Sequence, residues 1–307
     1  MEENLWIACK DGKVEEVIKL LQNTSIDINW QDSHSRTAIS IACEKGHIEI
    51  VELLLNDKRV EVNKANKKDE TPFWIACCYG HIEIVKLLLN DERVDTNKVD
   101  DFGWSPFYIA CGCQCIEIVK LLLNDERVDA TTIINQVDNF GRTPLVTACR
   151  IGNIRIVELL LNDERIDINK ANYYGRTPFS FACFFGHFKI AKLLLNDERI
   201  DINTKNNYGE TPFYIACFNG HIEIVKLLLA DGREIDLNKK DNLSGKKALD
   251  VARKSKREGT KIVELIKSFE RNPNETRFNL RKELGFSGKF ISFFPFLFLS
   301  FLINLYL

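Results

Sequence analysis

The stretch G-E-T-P-F-Y-I-A-C-F-N-G-H-I-E-I-V-K-L-L-L at residues 209–229 decides how the whole chain is read. Its Thr211-Pro212 pair returns at Thr71-Pro72, Thr143-Pro144 and Thr177-Pro178, with Ser105-Pro106 and Thr37-Ala38 as variants. The first residues of these pairs step by 34 along the chain, with one step of 38 between Ser105 and Thr143. Five of the seven prolines occupy this one position, so the spacing is a structural period and not chance. An Ala-Cys pair follows in every copy, at Cys43, Cys77, Cys111, Cys149, Cys183 and Cys217, and Ala8-Cys9 stands one period before the first. Next comes Gly-His or a relative of it: Gly46-His47, Gly80-His81, Gly152-Asn153, Gly186-His187 and Gly220-His221. Each copy then closes on I-E-I-V-K-L-L-L and N-D-E-R-V-D-I-N, or near variants.

Each piece has a physical task. Thr caps a helix by accepting from an early backbone N–H, and Pro fits the first turn, where its missing donor is unpaired anyway. The glycine after Ala-Cys can adopt positive φ and so closes a short first helix. The run Ile82–Leu89 is apolar on more than one face. It therefore needs both its own first helix and the neighbouring copy, so one copy cannot stay folded alone. Glu83 and Lys86 keep the remaining face wet, Asn90-Asp91 ends the second helix, and the stretch through Val94, Asn97 and Gly103 makes an extended turn into the next copy. The acidic pairs Asp91-Glu92, Asp125-Glu126, Asp163-Glu164 and Asp197-Glu198 recur in one loop and read as solvated caps.

These residues resemble the ankyrin repeat, whose pattern G-x-T-P-L-H-x-A-A-x-x-G-H-x-E-I-V-x-L-L-L is followed closely by residues 209–229. The resemblance covers about residues 3–270. It implies an all-α ankyrin-repeat solenoid of helix-turn-helix units with β-turn fingers. Residues 1–36 are expected as an N-terminal capping repeat, 37–246 as six repeats and 247–270 as a C-terminal capping repeat. Residues 271–289 are expected as a polar linker and 290–307 as a hydrophobic tail. Eight stacked copies would make a curved rod on the order of 80 Å long. There are departures from the family pattern. Trp74, Tyr108, Val146, Ser180 and Tyr214 stand where the family has His, which leaves open what supplies its hydrogen bond between repeats. Cys replaces the second Ala, and the period is 34 because D-E-R-V-D replaces G-A-D.

The resemblance also implies a scaffold or adaptor that binds a protein or peptide along the concave face, through the turn tips and the exposed side of the first helices. Carried over position by position, the candidate partner-binding residues begin with Tyr79 in the third repeat and Phe102 and Trp104 in the fourth. They continue with Phe140, Arg142 and Arg150 in the fifth, then Tyr173, Tyr174, Arg176, Phe184 and Phe185 in the sixth. The seventh supplies Tyr208 and Phe218. Aromatic and arginine side chains dominate interface energies, and a row of exposed rings is unfavourable unless something covers it. The alternative, that these rings pack between adjacent repeats, is equally open for any single residue.

Other chemistry is not expected. A net charge of -2 gives no reason for a specific nucleic-acid partner. The basic residues between Lys246 and Lys261 are diluted by Asp250 and Glu258 and read as a solvated capping helix. No phosphate loop, nucleophile elbow or His-Glu-x-x-His helix occurs, so the chain is read as no enzyme and without cofactors. The opening M-E-E-N-L-W-I-A-C-K-D-G has no basic start before an apolar run. The expected location is cytoplasmic, with ten reduced cysteines in a monomer. Equivalent cysteine slots stand roughly 10 Å apart, too far for a shared metal or disulfide. Cys111, Cys113 and Cys115, with Cys77-Cys78, form the one local cluster, open to a soft metal or to oxidation. The tail F-I-S-F-F-P-F-L-F-L-S-F-L-I-N-L-Y-L at 290–307 carries no charge, and Lys282 and Lys289 precede it. It reads as a C-terminal membrane anchor, as a helix docked on the last repeat, or as read-through of AT-rich DNA.

Overall fold

A computed structural model of the chain describes residues 1–127 and 133–286. The four extra residues of the 38-residue step fall within about 130–136, of which 130–132 lie outside the described residues, as does the whole tail 290–307. The described residues form seventeen helices and no strand, with one isolated antiparallel bridge between Lys240 and Lys247. Contacts divide the chain into two units, Met1–Asp201 and Ile202–Leu307.

The first unit holds six helix pairs, one per period. Their first helices are Glu2–Asp11, Ala38–Lys45, Pro72–Tyr79, Pro106–Gly112, Pro144–Ile151 and Pro178–Phe185. Their second helices are Val14–Leu21, Ile48–Asn56, Ile82–Leu89, Ile116–Asn124, Ile154–Leu161 and Phe188–Leu195. Each first helix packs on its own second helix and on the first helix of the next pair, and second helices pack likewise, giving two layers. The core lies between the layers, with Phe73, Phe107 and Phe179 after Thr-Pro and the Ala-Cys residues almost entirely shielded from solvent.

The period is written in hydrogen bonds. Thr71 Oγ1 accepts from Trp74 N at 3.1 Å, and Thr37, Ser105, Thr143 and Thr177 cap their helices in the same way. Each such cap is worth about 1 kcal/mol. The Asn of D-I-N, read from sequence as part of an extended turn, bridges two repeats. Asn29 Nδ2 donates to Arg59 O at 2.8 Å, and its Oδ1 accepts from Glu61 N at 2.8 Å. Asn63, Asn135 and Asn169 repeat the same two bonds one period on each time.

In the acidic loop the Glu of each pair is exposed, as a solvated cap should be, but the Asp is taken by an arginine. Asp57 pairs with Arg59 at 2.6 Å, and Arg59 Nη2 reaches back to Leu21 O at 3.2 Å in the preceding repeat. Arg93, Arg165 and Arg199 do the same to Leu55 O, Leu123 O and Leu161 O. A guanidinium at these last-turn carbonyls meets the negative end of a helix. The D-E-R-V-D loop that sets the 34-residue period carries this Asp–Arg bridge.

The second unit contains the pair Pro212–Asn219 and Ile222–Ala230, then Ala248–Ala252, Gly259–Arg271 and Pro273–Glu283. The last helix corrects the expected polar linker at 271–289. Asn272 caps it by accepting from Glu275 N, and Pro273 occupies its first turn. It packs against Ile222–Ala230 and Gly259–Arg271, burying Leu280. Lys226 Nζ meets Glu283 at 2.7 Å, and Arg281 Nη1 donates to Ala230 O at 3.1 Å. Its many charges hid one narrow apolar edge. No helix of the described residues is long and apolar enough to cross a membrane.

Candidate functional site

Two positions in each repeat meet on the face made by the turns and the first helices: the residue before Thr-Pro and the first residue after Ala-Cys. In the second repeat these are Arg36 and Glu44, an ion pair at 3.1 Å. In the sixth they are Arg176 and Phe184, with the guanidinium 5.2 Å over the ring. In the fifth both are arginines, Arg142 and Arg150.

The turn preceding each pair is built by an Asp or Asn at the fifth position before Thr-Pro. Asp138 Oδ1 accepts from Phe140 N at 2.9 Å and Arg142 N at 2.8 Å, and Asp32, Asn66, Asp100 and Asn172 close their turns in the same manner. Adjacent turns are joined by backbone bonds such as Tyr173 N to Phe140 O and Asn139 N to Phe102 O. These bonds fix the exposed rings in a row. The recurrence of this Asp or Asn at a constant distance before Thr-Pro marks the turn in the sequence, whereas the hydrogen bonds that it makes show only in the structure.

Asp138 is the centre of a buried network between the fourth and fifth repeats. Its Oδ2 accepts from Arg142 Nε at 2.6 Å, Tyr108 OH at 3.0 Å and Trp104 Nε1 at 3.4 Å. Thr147 Oγ1 donates to Tyr108 OH at 2.6 Å. Burial raises the carboxyl of Asp138, but the Arg142 guanidinium and the turn N–H groups outweigh it and hold the pKa below the usual carboxylate range. Asp100, in the same slot without an arginine, goes the other way, because burial there exceeds what its two turn N–H bonds return. Burial pushes the Tyr108 phenol well above its ordinary value.

This network, with two other devices, supplies the bond between repeats that the missing family His left open. Trp74 Nε1 donates to Trp104 O at 2.9 Å, and in the second unit Tyr214 OH donates to Asp241 Oδ2 at 2.9 Å. The Gly-His histidines add another. His47, His81 and His187 donate from Nε2 to Lys10 O, Glu44 O and Arg150 O of the preceding repeats. Each ring lies so close over the glycine before it, Gly12 under His47 for instance, that a Cβ there would stand 2.8 Å from the ring.

Of the candidate residues, Tyr79, Phe102, Phe140, Tyr173, Tyr174, Phe185 and Phe218 are between 44% and 66% exposed. Trp104, Arg142, Arg150, Arg176, Phe184 and Tyr208 are half-buried. Both open alternatives for the rings therefore occur. Trp104 stacks between Phe102 at 5.1 Å and Tyr108 at 5.9 Å, so it is held by its neighbours as much as displayed. Phe184 meets Phe185 edge-on at 5.0 Å, and Phe185 lies 6.0 Å from the His187 ring. Tyr208 and Phe218 sit in the second unit, where Phe218 lines a pocket with Tyr214, Lys246 and Lys254.

The arginines differ from one another. Arg142 is tied to Asp138 and lies 4.7 Å over the Phe140 ring. The Nε atoms of Arg150 and Arg176 are buried with no hydrogen-bond partner among the described residues. Asn172, not Asp, closes the turn beside Arg176, which removes the carboxylate that serves Arg36 and Arg142. Arg150 lies on the helix Pro144–Ile151 and Arg176 two residues before Pro178–Phe185, and these two helices pack side by side. Among the described residues no group of three His, Cys, Asp or Glu side chains is arranged to hold a metal.

The family model described as "Ankyrin repeats (3 copies)" matches at residues 2–66, 58–134, 128–206 and 198–277. No curated protein matches the chain.

Proposed function

The chain belongs to the ankyrin-repeat family, whose members generally mediate protein–protein interaction, and on that premise we propose that it is a non-catalytic adaptor. The adaptor grips an extended acidic peptide on the first-helix face of the fifth and sixth repeats. The observation that carries this reading is Arg150 and Arg176, half-buried arginines whose Nε donors have no partner among the described residues, within a field of exposed rings. A buried donor without an acceptor is costly, and a partner carboxylate would complete it with a charge-assisted bond. Phe140, Tyr173, Tyr174 and Phe185 would then cover the apolar and aromatic residues on either side of that carboxylate. Tyr208 and Phe218 present the same slots on the second unit and form a separate contact there.

The test is a random peptide library displayed on phage and selected against the full chain. Enriched peptides are expected to carry Asp or Glu beside aromatic or aliphatic residues. The double variant Arg150→Ala, Arg176→Ala is expected to bind them at least about tenfold more weakly. Enrichment of basic peptides, or equal binding by the variant, would overturn the reading.

A second reading, a membrane-anchored adaptor, rests on the uncharged stretch 290–307, whose length lies at the lower end of what a bilayer crossing needs. In detergent-free fractionation the full chain should then pellet with membranes while a chain ending at Lys289 stays in the supernatant. Identical fractions would exclude anchoring.

A further inference from the structure

Cys78 and Cys113 stand apart from the thiols of the Ala-Cys slots. Those are buried at Cys9, Cys43, Cys77, Cys111, Cys149, Cys183 and Cys217, and burial pushes Cys9 up to about 12. Cys113 is exposed and Cys78 half-buried, and their sulfurs lie 3.5 Å apart across the third and fourth repeats. We propose that Cys78 and Cys113 are a redox-active dithiol, a modification site that hydrogen peroxide closes to a disulfide joining the two repeats.

The local fold explains the approach. In the second, third, fifth and sixth repeats the first helix ends on a left-handed glycine, Gly46, Gly80, Gly152 or Gly186. The fourth repeat lacks that glycine. Its first helix stops at Gly112, Cys113 falls at the cap, and Gln114 takes the left-handed conformation at φ 64. A side chain in that region strains the backbone. Cys113 is thereby placed outside the helix, next to Cys78, which occupies the half-buried slot filled elsewhere by Glu44, Arg150 and Phe184. Cys115 takes the histidine slot, and its sulfur meets the backbone Cys113 O at 3.7 Å rather than the two sulfurs of the pair.

Chemical reactivity follows from the same contact. The Cys78 thiol donates to the Cys113 sulfur and, against the opposing effect of burial, holds Cys113 down to about 7. The hydrogen bond and burial raise Cys78, and the facing Glu70 carboxylate and Cys115 add to that. Cys113 is therefore the thiolate that reacts first. It attacks one peroxide oxygen; the O–O bond breaks, an S–O bond forms, and the departing hydroxide takes a proton to become water. The Cys78 sulfur then attacks the Cys113 sulfenic sulfur; the S–O bond breaks, the S–S bond forms, and the Cys78 proton leaves with hydroxide as a second water. Two electrons pass from the thiols to peroxide.

The experiment uses the full reduced chain, a small excess of hydrogen peroxide, alkylation of remaining thiols and tryptic mass spectrometry. The peptides 69–86 and 99–120, which carry these cysteines, are expected as a cross-linked pair lacking two hydrogens and separable by dithiothreitol. The cross-link is expected to persist in Cys115→Ser and to vanish in Cys78→Ser and in Cys113→Ser. Substoichiometric iodoacetamide is expected to label Cys113 before any other cysteine, which tests its reactivity without the variants. A cross-link that survives Cys113→Ser, or oxidation of Cys113 to sulfinic acid without any cross-link, would overturn the proposal.

Discussion

At the scale of single residues, the chain spends its polar side chains on joining repeats. Asp138 shows this best, because one carboxylate closes a turn, pairs with Arg142 and accepts from Tyr108. Asp138→Ala is expected to lower stability by about 3 kcal/mol, since it leaves a guanidinium and a phenol buried without an acceptor. Tyr108→Phe, which removes one neutral donor, should cost about 1 kcal/mol. Urea unfolding midpoints distinguish the two, and equal costs would mean that the network contributes little. None of this was legible from the motif alone. The Thr-Pro and Ala-Cys positions announce themselves by repetition with fixed identity. The network residues vary in identity from copy to copy (His in the family pattern, here Trp, Tyr, Val or Ser), so their partners become visible only once the repeats are stacked. The arginines illustrate the same limit. Sequence placed Arg142, Arg150 and Arg176 in one class, and the turn residue, Asp138 or Asn172, is what separates the paired Arg142 from Arg176.

At the scale of elements, the helix boundaries were legible because each is punctuated. A capping Thr or Ser starts the first helix, a left-handed glycine ends it, and the leucine run that follows needs no other signal. Two elements escaped. The D-E-R-V-D loop read as solvated because its charges suggested water, yet each Arg is spent on its Asp and on a carbonyl of the previous repeat. The helix Pro273–Glu283 read as a linker because charged and polar residues dominate it, although Asn272-Pro273 followed by Glu275 is itself a helix start. That helix shields the last repeats, as terminal elements of a solenoid must. Leu280→Asp should therefore lift it from Ile222–Ala230 and cost about 2 kcal/mol or more. Amide hydrogen exchange over residues 222–230 should accelerate while exchange over 38–56 stays unchanged. Unchanged exchange in both segments would show that the terminal helix protects nothing.

At the scale of the molecule, a repeated architecture turns small sequence changes into a graded surface. The same slot holds Glu44, Cys78, Gly112, Arg150 and Phe184 in successive repeats, so the first unit passes from polar through thiol-bearing to cationic and aromatic along its length. That gradient was legible from the sequence once the period was known, and it directed attention to the fourth to seventh repeats. What the sequence could not supply was the state of each group. Among the candidate residues seven rings are exposed, and the Nε atoms of Arg150 and Arg176 have no acceptor among the described residues. Binding there would complete those donors without altering the fold, which makes the location of the partner the central claim. Amide hydrogen exchange on the full chain, with and without a saturating acidic-aromatic peptide from the library, tests it most directly. Slower exchange is expected at residues 139–151 and 172–186, with no change over 82–89 or 188–195. Protection confined to the second helices, or unchanged exchange at both first-helix segments while the peptide is bound, would contradict it.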